Sequence, residues 1–360
     1  MSTPSGRRAG SGADVSTPAH SAPRSDARDT ARISQVWLYL GEIALVCVGI
    51  MLVLAIGAEK IPLGDVFAYL WASDGSQQAL ILRSDRFPRA LLALALGGSL
   101  AAAGALMQGI TRNPLASPAI FGINAGAALF VVAGITLWGV LSTGSLIWLA
   151  FAGGTVAGGV VFVLSSATAG ASSPFRLTIA GAAMAALLTS VTQGLLVVNE
   201  QTLDAAKRWL VGSLEGRSFT HLFAIAPFVI VALILAIWAA RSLTTLSLGE
   251  DVSKALGVRT ALTKATSSVA VILLAGSAVA VAGPVSFVGL AVPHITRYFV
   301  GGDYRRVIPH TILQGGALVL MADALARWVI RPQELPVGVV TALIGGPIFV
   351  YLARKGMKQV

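Results

Sequence analysis

The chain carries few groups that could do chemistry, and most are arginines and carboxylates near the ends of apolar blocks. Arg83, Arg86 and Arg89 cluster in LRSDRFPRALL, just ahead of one such block. Long basic side chains at that depth can snorkel to lipid headgroups, or they can form a basic ridge for an acidic partner. Asp323 has Arg327 at i+4, a spacing that lets the two pair on one helix face. Glu42 is the other acidic residue inside an apolar run. A carrier driven by protons or sodium would place more carboxylates along its path, so their scarcity argues against ion-coupled transport. His294 in VPHITR and His310 in IPHTIL stand alone beside prolines and read as hydrogen-bonding residues at loops or helix ends. The single cysteine, Cys47, excludes an internal disulfide framework and a cysteine zinc cluster and reads as a small apolar core residue.

Three kinds of catalytic signature are missing. No stretch fits the phosphate-binding pattern G-x-x-x-x-G-K-[ST], so the chain does not hydrolyse ATP by that route. H-E-x-x-H and a G-x-S-x-G strand–turn–helix elbow are absent too, so no enzyme reading has a catalytic group, metal or cofactor to rest on.

One polar stretch interrupts the apolar chain: SLGEDVSKALGVRTALTK, residues 247–264. Leu248, Val252, Ala255 and Leu256 fall at helical spacing, with Glu250, Asp251, Ser253 and Lys254 between them. Gly249 and Gly257 bound a short amphipathic helix and let the chain turn sharply at both sides. Its apolar face at Leu248, Val252 and Leu256 can bury in a groove of a partner, with Glu250 and Lys254 orienting it. It is too short and too acidic for a helix lying on lipid.

These residues sit in a chain with 12% charged side chains and 55% hydrophobic ones. The apolar residues come in blocks long enough to cross a bilayer, roughly 20 residues each. Continuous runs of that length point to an all-α polytopic membrane protein and away from a β-barrel. The blocks fall at 36–58, 90–110, 118–138, 145–165, 177–198, 221–240, 262–282, 285–300, 308–328 and 336–353, about ten transmembrane helices. The block at 285–300 is short and holds Pro293 and His294. The third and fifth blocks are rich in Gly and Ala and suit close helix contact better than lipid. So do the glycines of AGGTVAGGV at 152–160. Residues 1–35 lack apolar periodicity and read as a disordered cytoplasmic tail ahead of a transmembrane domain at 36–360. The tail is too long and too acidic for a secretory n-region, and the first block, long enough to span, reads as a membrane helix and not a cleaved signal.

Ten spans put both termini on one side. With that side as the cytoplasm, 17 of the 26 Lys and Arg residues lie inside, in agreement with the positive-inside rule. Residues 247–264 are then cytoplasmic, and Arg83, Arg86 and Arg89 are outside. The net charge of +10 is spread among loops and forms no patch for nucleic acid. The turn TRNPLASP at 111–118 is expected inside: Pro114 and Pro118 stop helices and Asn113 can cap the next one. Whether Gln108 and Asn113 touch cargo or hold this turn is left open by their types. Pro336, Gly338, Gly345 and Pro347 read as packing and bend positions.

Six stretches in order resemble the permease subunits of ABC importers for iron–siderophore complexes, haem and vitamin B12, the FecCD/BtuC type. They are RFPRALLALALGGSLAAAGALMQGITRNPLASPAIFGINAGAAL at 86–129, WLVGSLEGR at 209–217 and LGEDVSKALGV at 248–258. The others are AGPVSFVGLAVPHITRYFVGGDYRRVIPH at 282–310, ADALAR at 322–327 and ELPVGVVTALIGGPIF at 334–349. The resemblance implies the type II ABC importer permease fold, ten helices per subunit and a dimer in the cytoplasmic membrane. WLVGSLEGR looks closest to permeases that pair with an unlike partner, and a homodimer stays open. The resemblance also implies two ATPase subunits that bind the ATP and an extracytoplasmic substrate-binding protein. It makes residues 248–258 the coupling helix, with contact residues Leu248, Gly249, Glu250, Val252, Lys254, Leu256 and Gly257. It makes Arg86, Arg89 and Arg327 docking residues for glutamates of the binding protein, and it puts Gln108, Asn113 and Pro114 near the inner gate. A ferric siderophore is the expected cargo, with haem or cobalamin as alternatives. An ion-coupled secondary carrier is the reading from another class.

Overall fold

The computed structural model describes residues 24–57, 59, 61–71, 75–140, 142–166, 174–198 and 200–356. Among them, regular structure is helical throughout. The order is α1 (Arg24–Ala55), α2 (Val66–Trp71), α3 (Gln77–Ile81), α4 (Phe87–Thr111), α5 (Ile123–Trp138), α6 (Thr143–Ser166), α7 (Pro174–Val198), α8 (Glu200–Leu210), α9 (Phe219–Leu246), α10 (Glu250–Ala255), α11 (Thr260–Ala282), α12 (Val288–Val300), α13 (Tyr304–Val329) and α14 (Val337–Gly356). A wider π turn at Leu82–Arg86 leads into α4, and a 3-10 turn at Pro118–Phe121 precedes α5. The chain divides into two units, Met1–Leu38 and Tyr39–Val360. The described part of the first is the opening of α1. The expected tail at 1–35 overlaps α1 from Arg24 onward, where extending an existing helix costs less than starting one. Residues 1–23 lie outside the described residues.

Each of the ten apolar blocks meets a long helix: α1, α4 to α7, α9 and α11 to α14. Seven of these are long and apolar enough to cross a membrane by themselves. α5 has 16 residues and α12 has 13. At 1.5 Å per residue α12 is ~20 Å long, against ~30 Å of hydrocarbon. The block at 285–300 is therefore not one spanning helix. Its first part is non-helical and begins beside the 209–213 turn and α14. There Ser213 N–H donates to Ala282 O at 2.7 Å and Gly338 N–H donates to Gly212 O at 3.1 Å. Non-helical backbone at membrane depth is tolerated where protein surrounds it. Phe287 adopts a left-handed conformation, φ 69°, to start α12.

The core is built on close backbone approach. α4 and α11 are the most buried of the long helices, and α4 packs on α13 along a stripe of small residues. A Cβ on Gly97 would overlap Gly315 O, and one on Gly104 would overlap Gly289 O. α5 and α6 cross in the same way at Gly126 and Gly153. Lipid tails are as apolar as leucine, so burying grease does little to hold helices together there. Close van der Waals packing of this kind takes over. The expected packing role of Gly153, Gly154 and Gly158 therefore holds, as it does for Gly338 and Gly345. Two expectations change. α7, the fifth block, is mostly exposed on this chain, because one side alone meets α5 and α6 while Ala182, Ala183, Ala186, Ser190 and Gly194 are left uncovered. Cys47 is also exposed on the outer face of α1, since the core-facing positions there are Glu42, Val46, Gly49 and Val53.

Gly104→Ala should cost about 1–3 kcal/mol through overpacking against backbone that cannot retract. Gly159→Ala meets open space and should leave stability unchanged or slightly higher. Thermal unfolding of the two variants in detergent checks the contrast.

Candidate functional site

At one end of the helix assembly α9 runs out at Leu246 and the chain turns into α10. Gly249 (φ 120°) and Gly257 (φ 76°) bracket α10 in conformations that side chains avoid. Leu248, Val252 and Leu256 are 67%, 48% and 64% exposed and form an apolar stripe without a partner in this chain. Six residues are too few for a stable isolated helix, and two links hold α10 in place. Ser253 is fully buried, and its hydroxyl lies 2.9 Å from Thr245 O and 2.6 Å from Gly249 O. Glu250 pairs with Lys264 of α11 at 2.7 Å and with Lys254 at 3.2 Å. The hydrogen bond from Lys264, then that from Lys254, holds the Glu250 carboxyl below its ordinary range. Glu250 and Lys254 were expected to orient the helix on a partner. Glu250 instead fastens α10 to its own chain, because Lys264 approaches from α11, while Lys254 keeps an exposed ammonium.

The inner-gate residues do not form one cluster. Gln108 is buried in α4; its Nε2 donates to Leu290 O at 3.3 Å, and its Oε1 accepts from Arg297 Nη2. It ties α4 to α12. Asn113 and Pro114 lie on the exposed turn after α4, which Arg112 opens in a left-handed conformation. Asn113 does not cap α5. Its Oδ1 accepts from Leu115 N–H at 2.9 Å, a local turn bond, and Gly122 holds the cap position of α5.

At the opposite end the arginines are buried and paired within this chain. Arg86, Arg89 and Arg327 are each 2% exposed. Arg89 Nε and Nη2 fork onto Asp323, with Nη2 to Oδ1 at 2.9 Å, and Nη1 pairs with Glu334 at 2.7 Å. Arg327 lies 3.5 Å from Asp323 and donates to Val53 O at 2.6 Å. Arg86 donates to Leu54 O at 2.7 Å, to Ala55 O at 3.2 Å and to Glu59 O. The expected ridge of free docking arginines is thus corrected. The last carbonyls of α1 have no helical partners of their own and accept from guanidiniums, while buried Asp323 and half-buried Glu334 supply the counter-charge. The Asp323–Arg327 pairing was legible in the sequence. Arg89, 234 residues from Asp323, was not.

His310 is not isolated either. It is fully buried, stacks on Tyr39 at 3.9 Å, and places Nδ1 2.7 Å from Glu42 Oε2. Gln314 Nε2 donates to Glu42 Oε1 at 2.5 Å, and Thr296 Oγ1 donates to Gln314 Oε1 at 2.8 Å. This polar chain joins α1, α13 and α12. Helical spacing hints at His310 with Gln314, but nothing local points to Glu42. Among the described residues no group of three His, Cys, Asp or Glu side chains could hold a metal ion.

Asp323→Ala should cost about 3–5 kcal/mol, because it strands two buried guanidiniums. Asp204→Ala breaks an exposed pair with Lys207 and should cost under about 1 kcal/mol. Chemical unfolding in detergent checks both. The Glu250 link contributes stability above the ordinary carboxyl value of 4.5 and loses it as pH falls through the lowered folded value. Hydrogen exchange across α10 should therefore stay protected from neutral pH down past 4.5 and open below the lowered value, and Glu250→Gln should abolish that dependence.

The chain is similar to a siderophore transport system permease protein of Bacillus subtilis, YfiZ, at 45% identity over 88% of this chain and 97% of that one. It is 41% identical to the ferric enterobactin transport system permease protein FepD of Escherichia coli, over 88% of this chain and 94% of that one. Its fold matches a solved metal-chelate type ABC transporter in an inward-facing conformation, with a TM-score of 0.78, 29% identity and coverage of 89% and 99% of the two chains. The FecCD transport family matches residues 45–355, and the chain belongs to that family of transport permeases.

Proposed function

We propose that the chain is the membrane permease of an ATP-driven importer that carries a ferric siderophore across the cytoplasmic membrane. The observation that carries the reading is α10: an exposed apolar stripe on a short helix keyed into the chain by Ser253 and Glu250. A permease with no nucleotide site of its own receives force through a stiff contact, and a helix laid in a groove of an ATPase subunit supplies one. The α10 end and both termini are cytoplasmic. The extracytoplasmic binding protein docks at the other end, which Arg86, Arg89 and Arg327 brace from within. A second permease subunit, like or unlike, completes the pathway, and the small-residue face of α7 suits it. The names of the relatives at 45% and 41% identity support a ferric siderophore as cargo.

Leu256→Asp should leave the folded amount unchanged, because Leu256 touches little of its own chain. Uptake into vesicles holding the ATPase and binding-protein partners should fall by about 30-fold, the loss expected when an interface anchor worth ~2 kcal/mol is removed. Normal uptake would contradict the reading. Ferric siderophore should compete with labelled iron for uptake and haem should not; the reverse result would move the cargo to haem. In a Cys47→Ser background, Lys254→Cys should react with an impermeant thiol reagent from the cytoplasmic side alone.

A further inference from the structure

Resting on the permease reading, we propose that Thr244 is a positioning residue for transport: it passes displacement of α10 to the corner between α12 and α13, and through α12 to an internal cavity. α10 is bonded to the last turn of α9 through Ser253 and Thr245 O. One residue earlier, Thr244 Oγ1 accepts from Tyr304 N–H at 2.9 Å. Its single proton is shared between Asp303 Oδ1 at 3.1 Å and Ala240 O at 3.0 Å. Asp303 caps α13 by accepting from Arg305 N–H at 3.0 Å. The corner that receives α9 is therefore a single hydrogen-bonded unit.

That unit adjoins α12. Tyr304 is buried and its ring packs against Gly109 of α4, and the corner it begins joins directly onto the last turn of α12, where Arg297 lies, through Gly301 to Asp303. Arg297 donates to Gln108. The other end of α12 borders a cavity of about 240 Å³, where Phe287, Gly289 and Leu290 face Leu100, Ser117 and Asn124. α12 is a short helix whose far end lines the cavity and whose near end runs into the corner that Thr244 touches. Packed helices tend to shift between discrete positions as rigid bodies, so a push on α10 has a physical route to the cavity wall.

The test uses the chain assembled with its ATPase subunits in lipid vesicles, carrying Cys47→Ser and Leu290→Cys. The probe is a small water-soluble maleimide, and the readout is its labelling rate with and without ATP. With Thr244 intact, ATP should change the rate by about fivefold or more, the low end of typical coupling between sites. Thr244→Val should shrink that change to under about twofold while ATP hydrolysis continues, since links of this kind carry part of the coupling. Thr244→Ser should restore it, which a loss of packing alone would not explain. Should the valine variant fail to assemble, Ser253→Ala breaks the same route one step earlier and should give the same loss. An ATP-dependent change of full size in Thr244→Val or Ser253→Ala overturns the relay, as does no change at all with Thr244 intact. Absence of ATP hydrolysis stimulated by the assembled chain sinks the permease reading itself, a separate readout.

Discussion

A polar group inside a bilayer has no water to turn to, and that constraint organises this chain. Among the described residues, the fully buried charges have partners distant in sequence: Arg89 with Asp323 and Glu334, Arg86 and Arg327 with the last carbonyls of α1, Glu42 with His310 and Gln314. These contacts give the helices fixed positions that apolar packing alone would leave free to slide. Glycine pairs set how close the helices come, and the polar pairs set where along their lengths they meet.

The same constraint divides the molecule into stiff and adjustable parts. α4 lies at the centre, pressed on α13 through Gly97 and Gly315 and on α12 through Gly104 and Gly289. α12 is different. It is too short to cross, enters through a strained residue at Phe287, and is held by polar contacts from Gln108 and Gln314. An element fastened at discrete points and open to a cavity on one side is suited to a gate. α10 is the opposite case, a small knob fastened to its own chain by Ser253 and Glu250, with its apolar face uncovered.

What the sequence made legible follows from range. The apolar blocks, the glycines bounding α10, and the Asp323–Arg327 pair are local patterns of hydropathy, turn chemistry or helical spacing; each block meets a helix, seven of them long and apolar enough to cross a membrane, and the glycines and the pair are present. The partners of Arg89, Gln108 and His310 lie 182 to 268 residues away, and no local pattern encodes them. That is why the inward pairing of Arg89 with Asp323 and of Arg327 with Val53 O, both arginines read as docking residues for an acidic partner, left no local trace; Arg86, read the same way, meets carbonyls 31 and 32 residues away. Glu250 misled for the same reason: Lys264 looks like part of the next helix until the chain folds back. Asn113 was placed in the right turn with the wrong bond, since a side-chain carbonyl at a turn can serve a helix or its own loop equally well.

The account stands on the idea that this polypeptide moves only when a separate nucleotide-hydrolysing protein pushes on α10. Accumulation of labelled ferric siderophore should be measured in vesicles holding the purified chain, with and without its ATPase subunits, under ATP or an imposed proton gradient. Accumulation with the subunits and ATP, and none under the gradient in their absence, is the predicted result. Concentrative uptake by the chain alone would contradict it.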